Sequence, residues 1–247
     1  MKGLLEAAKR GACHTALMLD LDYFKQVNDR YGHLGGDAAL RHCCDQLRGC
    51  LRDGDSVGRL GGEEFVVLLA DAEAGVIGVA HCGRRGLQQG VIGETVRMMT
   101  GKGASVERMV ATLGPCICGD CYEVGESIAA EFDARFPGTA TTTRFGGPGI
   151  DIAAAALQEL AAAGITDDRI VESRPRVAAA TQYLSEDGEL AELCRTDGEG
   201  ATELAERIDG VRHSLCTLEN PLWYSHRRAS LANKNGEGRM LALIVME

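Results

Sequence analysis

The chain has 247 residues, of which 45% are apolar, and it carries a formal net charge of −10. This apolar content suffices for a packed core, and the negative charge argues against a nucleic-acid polymer as partner, because such binders usually present a basic face. No apolar run approaches the roughly 18 residues of a membrane span, and the N-terminal segment lacks a signal-peptide core. The ten cysteines therefore indicate reduced thiols or metal ligands, and we expect a cytoplasmic protein with no membrane partner.

The first part of the chain alternates predicted strands and helices. An apolar run at residues 16–20 ends in an acid, which predicts a buried strand with a carboxylate at its tip. Apolar residues at helical spacing predict a helix over 37–51 with Asp37 as its cap. The other elements predicted here are a hairpin of strands 57–60 and 65–69, a strand at 76–80, a turn at 83–86, and a helix over 87–99 that contains Gly90 and Gly93.

The second part continues the alternation. Val124, Ile128 and Phe132 predict one helix, and an alanine-rich run predicts another over 152–163, ended by Gly164. Residues 184–209 contain nine acids and two arginines, which predicts a solvated, largely helical insertion, with partner binding as the alternative. Residues 239–246 predict a buried terminal strand. Together these elements predict a mixed α/β protein.

The stretch LDLDYFKQVNDRYGHLGGD, followed by GRLGGEEF, resembles the GGDEF domain of diguanylate cyclases, over about residues 14–71. The resemblance implies binding of GTP or cyclic-di-GMP, with Mg²⁺ held by carboxylates. Asp37 as a helix cap alone, and Arg52 with Asp55 as a surface pair, are the alternatives. The residues that the resemblance assigns are Asp20 and Glu63 to the metal, Glu64 to the hairpin site, Asn28 and Asp37 to guanine, Lys25 to phosphate, and Arg52 with Asp55 to product inhibition.

From about residue 71 onward the chain resembles a second family, the laccase-domain or multicopper polyphenol oxidase-like proteins. The resemblance is carried by AGVIGVAHCGRRG, LGPCICGDCYEVG, TTTRFGGPGIDI and CTLENPLWYSHRRASLANKNGEGRMLALIVM, in the family's order. It implies a purine nucleoside phosphorylase with adenosine deaminase activity, acting on purine nucleosides and phosphate with Zn²⁺ or Cu²⁺.

In this family two histidines and a cysteine hold the metal and leave an open position, as in catalytic zinc sites. His81 matches the second histidine, with a structural histidine as the alternative. The motifs of the first histidine and the cysteine are missing, and Glu64 falls where the cysteine would be. We therefore expect a rebuilt, weaker site of His81 and Glu64.

Arginines supply the candidate phosphate and nucleoside contacts, because a guanidinium fork matches phosphate oxygens. These candidates are Arg84 and Arg85 after His81, and Arg227 with Arg228, for which a surface cation pair is the alternative. Arg84 stands where the family has tryptophan, so a stacking role is lost there.

The three cysteines at 116, 118 and 121 have C-x-C-x-x-C spacing without a second pair of ligands. We expect buried structural thiols, with a zinc site as the alternative.

These observations predict a hybrid chain. A truncated GGDEF-like βαββ segment over 1–71 precedes a laccase-domain-like mixed sheet with flanking helices over 72–247, which contains an acidic insertion at about 174–212. The leading function is metal-dependent purine nucleoside phosphorolysis, impaired to the extent that ligands are missing. The alternatives are GTP or cyclic-di-GMP binding through GGEEF, and a folded remnant without catalysis.

Overall fold

A computed structural model describes residues 14–16, 30–31, 42, 46, 65–175, 178, 184–223, 225, 227–228 and 244–246. Contacts divide the chain into two units, residues 1–18 with 62–247, and residues 19–61. Most elements predicted within residues 19–61, including the strand at 57–60, lie outside the described residues. Most of the terminal strand predicted over 239–246 lies outside them as well. Residues 42 and 46, inside the predicted helix 37–51, are helical.

The centre of the first unit is a three-stranded antiparallel sheet. Strand β2 (Phe65–Asp71) lies between β3 (Val76–Cys82) and β4 (Val110–Leu113). A separate pair joins β1 (His14–Ala16) to β7 (Ile244–Met246), and a third pair joins β5 (Ala140–Thr142) to β6 (Pro148–Ile150). The predicted mixed α/β class is confirmed.

Six helices have their full bounds among the described residues, and two of them contact the central sheet. The six are α1 (Arg84–Gln88), α2 (Val91–Gly101), α3 (Glu126–Arg135), α4 (Ile152–Ala162), α5 (Gly188–Thr196) and α6 (Leu204–Asp209). Helices α1 and α2 contact β3, and α4 contacts both α1 and α2. Val67, Leu69, Leu87, Ile92 and Leu160 are fully buried in the core that these elements enclose. Burial of each such side chain stabilises the fold by roughly 1.5–3 kcal/mol.

The helix predicted over 87–99 is two helices in the structure. The break lies at Gly90, whose backbone has φ +78°, a left-handed conformation that glycine adopts readily. The carboxylate of Glu159 in α4 accepts hydrogen bonds from the amides of Ile92 (3.1 Å) and Gly93 (3.3 Å) at the start of α2. A distant residue therefore satisfies amides that an isolated α2 would leave without partners.

The acidic segment is helical, as predicted, but it is not uniformly solvated. Cys194, Asp197, Leu204 and Arg207 are buried, although acidic neighbours such as Glu206 are exposed. The segment therefore contains buried residues as well as a solvated acidic face. Among the described residues, no helix has the length and apolar character needed to cross a membrane.

Candidate functional site

One end of the central sheet contains His81, the candidate ligand on β3. His81 on β3 is the Cα partner of Val66 on β2, and the amide of Gly114, just after β4, donates to the carbonyl of Val66 at 2.9 Å. Strands in such a ladder lie about 4.8 Å apart. His81 and the start of the loop that follows β4 therefore belong to the same end of the sheet.

The two arginines after His81 differ in environment. Arg84 is half-buried and donates from Nη1 to Oε1 of Gln88 at 3.0 Å, one turn further along α1. Arg85 is exposed. Arg85 is thus the more accessible of the two guanidinium groups.

The metal site that the family resemblance implies at His81 needs further ligands close to that histidine. In the described ranges, His81 belongs to no group of three potential metal ligands. These ranges therefore do not complete a metal site at His81. The other ligand proposed for it, Glu64, lies outside the described residues, as do Asp20, Lys25, Asn28, Asp37, Arg52, Asp55 and Glu63.

Arg227 and Arg228 are adjacent in sequence, but their side chains make different contacts. The guanidinium of Arg227 is 5.1 Å from the ring centroid of Tyr122, and its Nη1 donates to the carbonyl of Glu123 at 2.9 Å. Arg228 is only 2% exposed and donates to backbone carbonyls that include those of Leu218 (3.0 Å) and Asn220 (3.2 Å). Arg227 therefore contacts the loop after β4 at residues 122–123. Arg228 holds together the backbone of residues 217–223.

A buried ion network anchors Arg228. The Asp197 carboxylate lies 2.8 Å from Nη2 of Arg207 and 3.5 Å from Nε of Arg228. All three side chains are at most 5% exposed. The acidic segment is therefore tied to the motif that contains Arg227 and Arg228, a connection that the sequence did not reveal.

A second cluster lies in the loop after β4. The sulfur atoms of Cys118, Cys121 and Cys216 and a carboxylate oxygen of Glu219 all lie within 4.8 Å of one another. Cys121 and Cys216 are buried, and Glu219 is 7% exposed. The second ligand pair that the C-x-C-x-x-C spacing lacked is therefore supplied from almost 100 residues further along the chain.

Backbone contacts hold the two halves of this cluster together. The amide of Cys116 donates to the carbonyl of Leu215 at 3.0 Å, and the amide of Thr217 donates to the carbonyl of Cys116 at 3.1 Å. The amides of Cys118 and Glu219 both point at the sulfur of Cys216, each at 3.5 Å. The sulfur of Cys216 is thus the centre of the cluster.

Hydrogen bonds within the cluster shift the pKa values of its thiols in opposite directions. Thiol donors on Cys118 and Cys121, with backbone amides, hold the pKa of Cys216 well below its ordinary value. Hydrogen bonding to Cys121 and Cys216 raises the pKa of Cys118. The hydrogen bonds therefore favour negative charge on Cys216 over its two neighbours. It is compatible with a metal ion that prefers sulfur.

Two family models match the chain. The model described as multi-copper polyphenol oxidoreductase laccase matches residues 65–247. The model described as diguanylate cyclase, GGDEF domain, matches residues 1–98. The two matches overlap at β2, β3, α1 and the first turns of α2.

Curated relatives of the chain carry enzyme names. The chain is 46% identical over 101 residues to purine nucleoside phosphorylase ORF3 of Streptomyces griseus, a match covering 41% of each chain. It is 38% identical over 112 residues to adenosine deaminase RL5 of an unknown prokaryotic organism, covering 44% of this chain and 43% of that one. The matches thus span less than half the length of either relative.

Among solved structures, the hypothetical protein YfiH of Bacillus licheniformis aligns with a TM-score of 0.49 at 20% identity, over 76% of this chain and 56% of that one. The laccase family model accounts for most of the present sequence, from β2 to the last residue. The chain belongs to the multi-copper polyphenol oxidoreductase laccase family.

Proposed function

We propose that the chain acts on purine nucleosides, by phosphorolysis of the glycosidic bond of adenosine, inosine or guanosine. The observation that carries the proposal is the 46% identity over 101 residues to a relative named purine nucleoside phosphorylase. The position of His81 and Arg85 at one end of the central sheet supports it. Deamination of adenosine is the secondary activity, since another relative is named adenosine deaminase.

The reaction requires a phosphate oxygen to attack C1′ of the ribose while the bond from C1′ to the purine nitrogen breaks. The departing base takes the electron pair and a proton, and the products are the free base and ribose 1-phosphate. A guanidinium that grips phosphate neutralises its charge and orients it for attack. The exposed Arg85 is assigned this role, and Arg227 is assigned contact with the nucleoside.

His81 is assigned a place next to the reacting atoms. We further propose that His81 and Glu64 hold Zn²⁺ or Cu²⁺, which would act as a Lewis acid when bound. Since the described residues alone do not complete that site, phosphate binding and proton transfer are assigned to the chain's own side chains. Loss of zinc from this site in His81→Ala, with full occupancy in Glu64→Ala, would exclude the glutamate as ligand.

The decisive experiment measures base release from adenosine and inosine with phosphate by the purified, zinc-supplemented chain. We expect His81→Ala to abolish release, and Arg85→Ala to raise the KM for phosphate more than it lowers kcat. Arg97→Ala is the matched control, because Arg97 is an exposed arginine that pairs with Glu94 on α2. A folded wild-type chain without base release would contradict the proposal and favour a non-catalytic remnant.

A second candidate function concerns the N-terminal part. The GGDEF match over 1–98 supports binding of GTP or cyclic-di-GMP, with Mg²⁺ at Asp20 and Glu63. Under this proposal residues 1–71 are a truncated GGDEF-like segment, and 72–247 form the laccase-domain region with an insertion at about 174–212. Magnesium-dependent GTP binding that disappears in Asn28→Ala would support the candidate, and binding that persists in that variant would count against it.

A further inference from the structure

We propose that Cys118, Cys121, Cys216 and Glu219 form a tetrahedral zinc site that joins the loop after β4 to the segment at 215–220. The site differs in place and in ligands from the one that the family resemblance implies at His81. It does not depend on the proposed enzymatic function.

The spacing of the ligands is the first argument. Cys118 and Cys121 are separated by two residues, and so are Cys216 and Glu219. Two ligand pairs of short spacing, brought together from distant segments, are typical of structural zinc sites. The mutual separation of at most 4.8 Å between the four donor atoms leaves room for an ion with bonds of about 2.0–2.3 Å.

The chemistry of the donors selects the ion. Three sulfur atoms and one carboxylate oxygen form a soft donor set, which favours zinc and disfavours magnesium or calcium. Buried cysteines without metal would normally stay protonated and apolar in character. Here three thiols converge on one point together with a buried carboxylate, an arrangement that apolar packing alone does not require.

Backbone amides prepare the site for a charged ligand. The amides of Cys118 and Glu219 point at the sulfur of Cys216, each at 3.5 Å. Such N–H donors stabilise negative charge on sulfur, as charge-assisted hydrogen bonds do in general. The backbone around Cys216 is therefore arranged to favour a negatively charged sulfur at the centre of the site.

Hydrogen bonds around the carboxylate fix its orientation. Oε1 of Glu219 accepts from the amide of Arg212 at 2.8 Å, and Oε2 accepts from the amide of His213 at 3.3 Å. The guanidinium of Arg212 lies 3.4 Å from Oε1. Outer contacts of this kind orient metal ligands and offset the negative charge of a thiolate-rich site.

The position of the site explains what the zinc would do. Tyr122, which lies under the guanidinium of Arg227, directly follows the ligand Cys121. Thr217, whose carbonyl accepts a hydrogen bond from Arg228, directly follows the ligand Cys216. A bound ion would fix both segments relative to each other. It would therefore fix the position of Tyr122, against which Arg227 packs, without contacting substrate.

The test uses the full chain, purified in reductant, stripped with a chelator and reloaded with Zn²⁺ or Co²⁺. We expect tight, stoichiometric metal with a thiolate-to-cobalt charge-transfer band. The band should be lost in Cys216→Ser and Cys118→Ser, and Glu219→Gln should weaken zinc affinity by about tenfold or more. Cys116→Ser is the matched control, because it removes a thiol from the same loop outside the ligand set.

His81→Ala separates this site from the family's site, since the charge-transfer band must survive in that variant. Competition between the wild-type chain and a chromophoric chelator measures the affinity even if a cysteine variant fails to fold. A folded, fully reduced wild-type chain that takes up no zinc would overturn the proposal, whether or not its thiols then form disulfides. An unchanged cobalt band in Cys216→Ser would do the same.

Discussion

Gly86 packs directly against the carbonyl oxygen of His81. A Cβ atom at Gly86 would lie 3.1 Å from that oxygen, closer than ordinary van der Waals contact permits. Because the obstacle is a backbone atom, the end of β3 and α1 must separate by a few tenths of an ångström to accommodate a side chain. The glycine that ends the HCGRRG motif therefore sets the distance between His81 and the helix that carries Arg84 and Arg85.

We predict that Gly86→Ala lowers kcat/KM for base release by about tenfold or more, because small displacements of reacting groups have large kinetic effects. Steady-state kinetics with adenosine and phosphate check this. Gly93→Ala is the control, since a Cβ there meets nothing within 4 Å. Equal activity in the two variants would show that this close packing does not position the site.

A second prediction concerns the break between α1 and α2. Gly90→Ala should destabilise the chain by about 1 kcal/mol, because alanine is strained at φ +78°. Gly93→Ala should stabilise it by about 0.5–1 kcal/mol, since this glycine lies inside α2 with free space around it. Urea denaturation of both variants measures the two changes. The same sign in both would refute the assignment of the break to Gly90.

The sequence could predict the local elements but not this break. Periodicity gave the strand at 76–80, the helix through Phe132 and the helix ended by Gly164, because each depends on neighbouring residues. The split at Gly90 depends also on Glu159, whose carboxylate reaches the amides of α2 from α4. Contacts over such separations leave no trace in local spacing.

Contacts between residues distant in sequence were equally hidden at the candidate site. His81 and the arginines after it were found from a motif, but the partners of Cys118 lie almost 100 residues away and became visible only in the fold. Arg227 and Arg228 look equivalent in sequence. Only the structure shows that one stacks on Tyr122 and that the other is buried among carbonyls.

A third prediction concerns acid stability. Asp71, at the end of β2, is fully buried and accepts from Nη2 of Arg108 at 2.8 Å and from the amide of Ser105 at 2.7 Å. The hydrogen bond from Arg108, followed by that from Ser105, lowers the pKa of Asp71 from 3.8 to about 2. The folded state thus binds this proton less tightly than the unfolded state does.

A lowered pKa of this kind contributes stability that is present above pH 4 and is lost as the pH falls towards 2. We expect the thermal midpoint of Asp71→Asn to be lower than that of the wild type at pH 6, with the difference narrowing over that window. Glu73→Gln is the control, because Glu73 also pairs with Arg108 but is exposed. A difference that stayed constant from pH 6 to 2 would contradict the role given to Asp71.

The last prediction concerns the buried network of Asp197. Its carboxylate lies between the guanidinium groups of Arg207 and Arg228, and all three are almost fully buried. Asp197→Ala would leave two buried cations without their counter-charge, which typically costs about 3–5 kcal/mol. The free energy of unfolding, measured with urea at neutral pH, should fall by this amount.

The exposed pair of Glu94 and Arg97 provides the comparison. Both side chains are more than half exposed, and pairs of this kind contribute only about 0–1 kcal/mol. Glu94→Ala should therefore change stability much less than Asp197→Ala. If the two variants unfolded at similar urea concentrations, the acidic segment would be a solvated appendage, as its composition suggests. If Asp197→Ala alone unfolds early, the segment is part of the framework that holds Arg228 and the carbonyls around it.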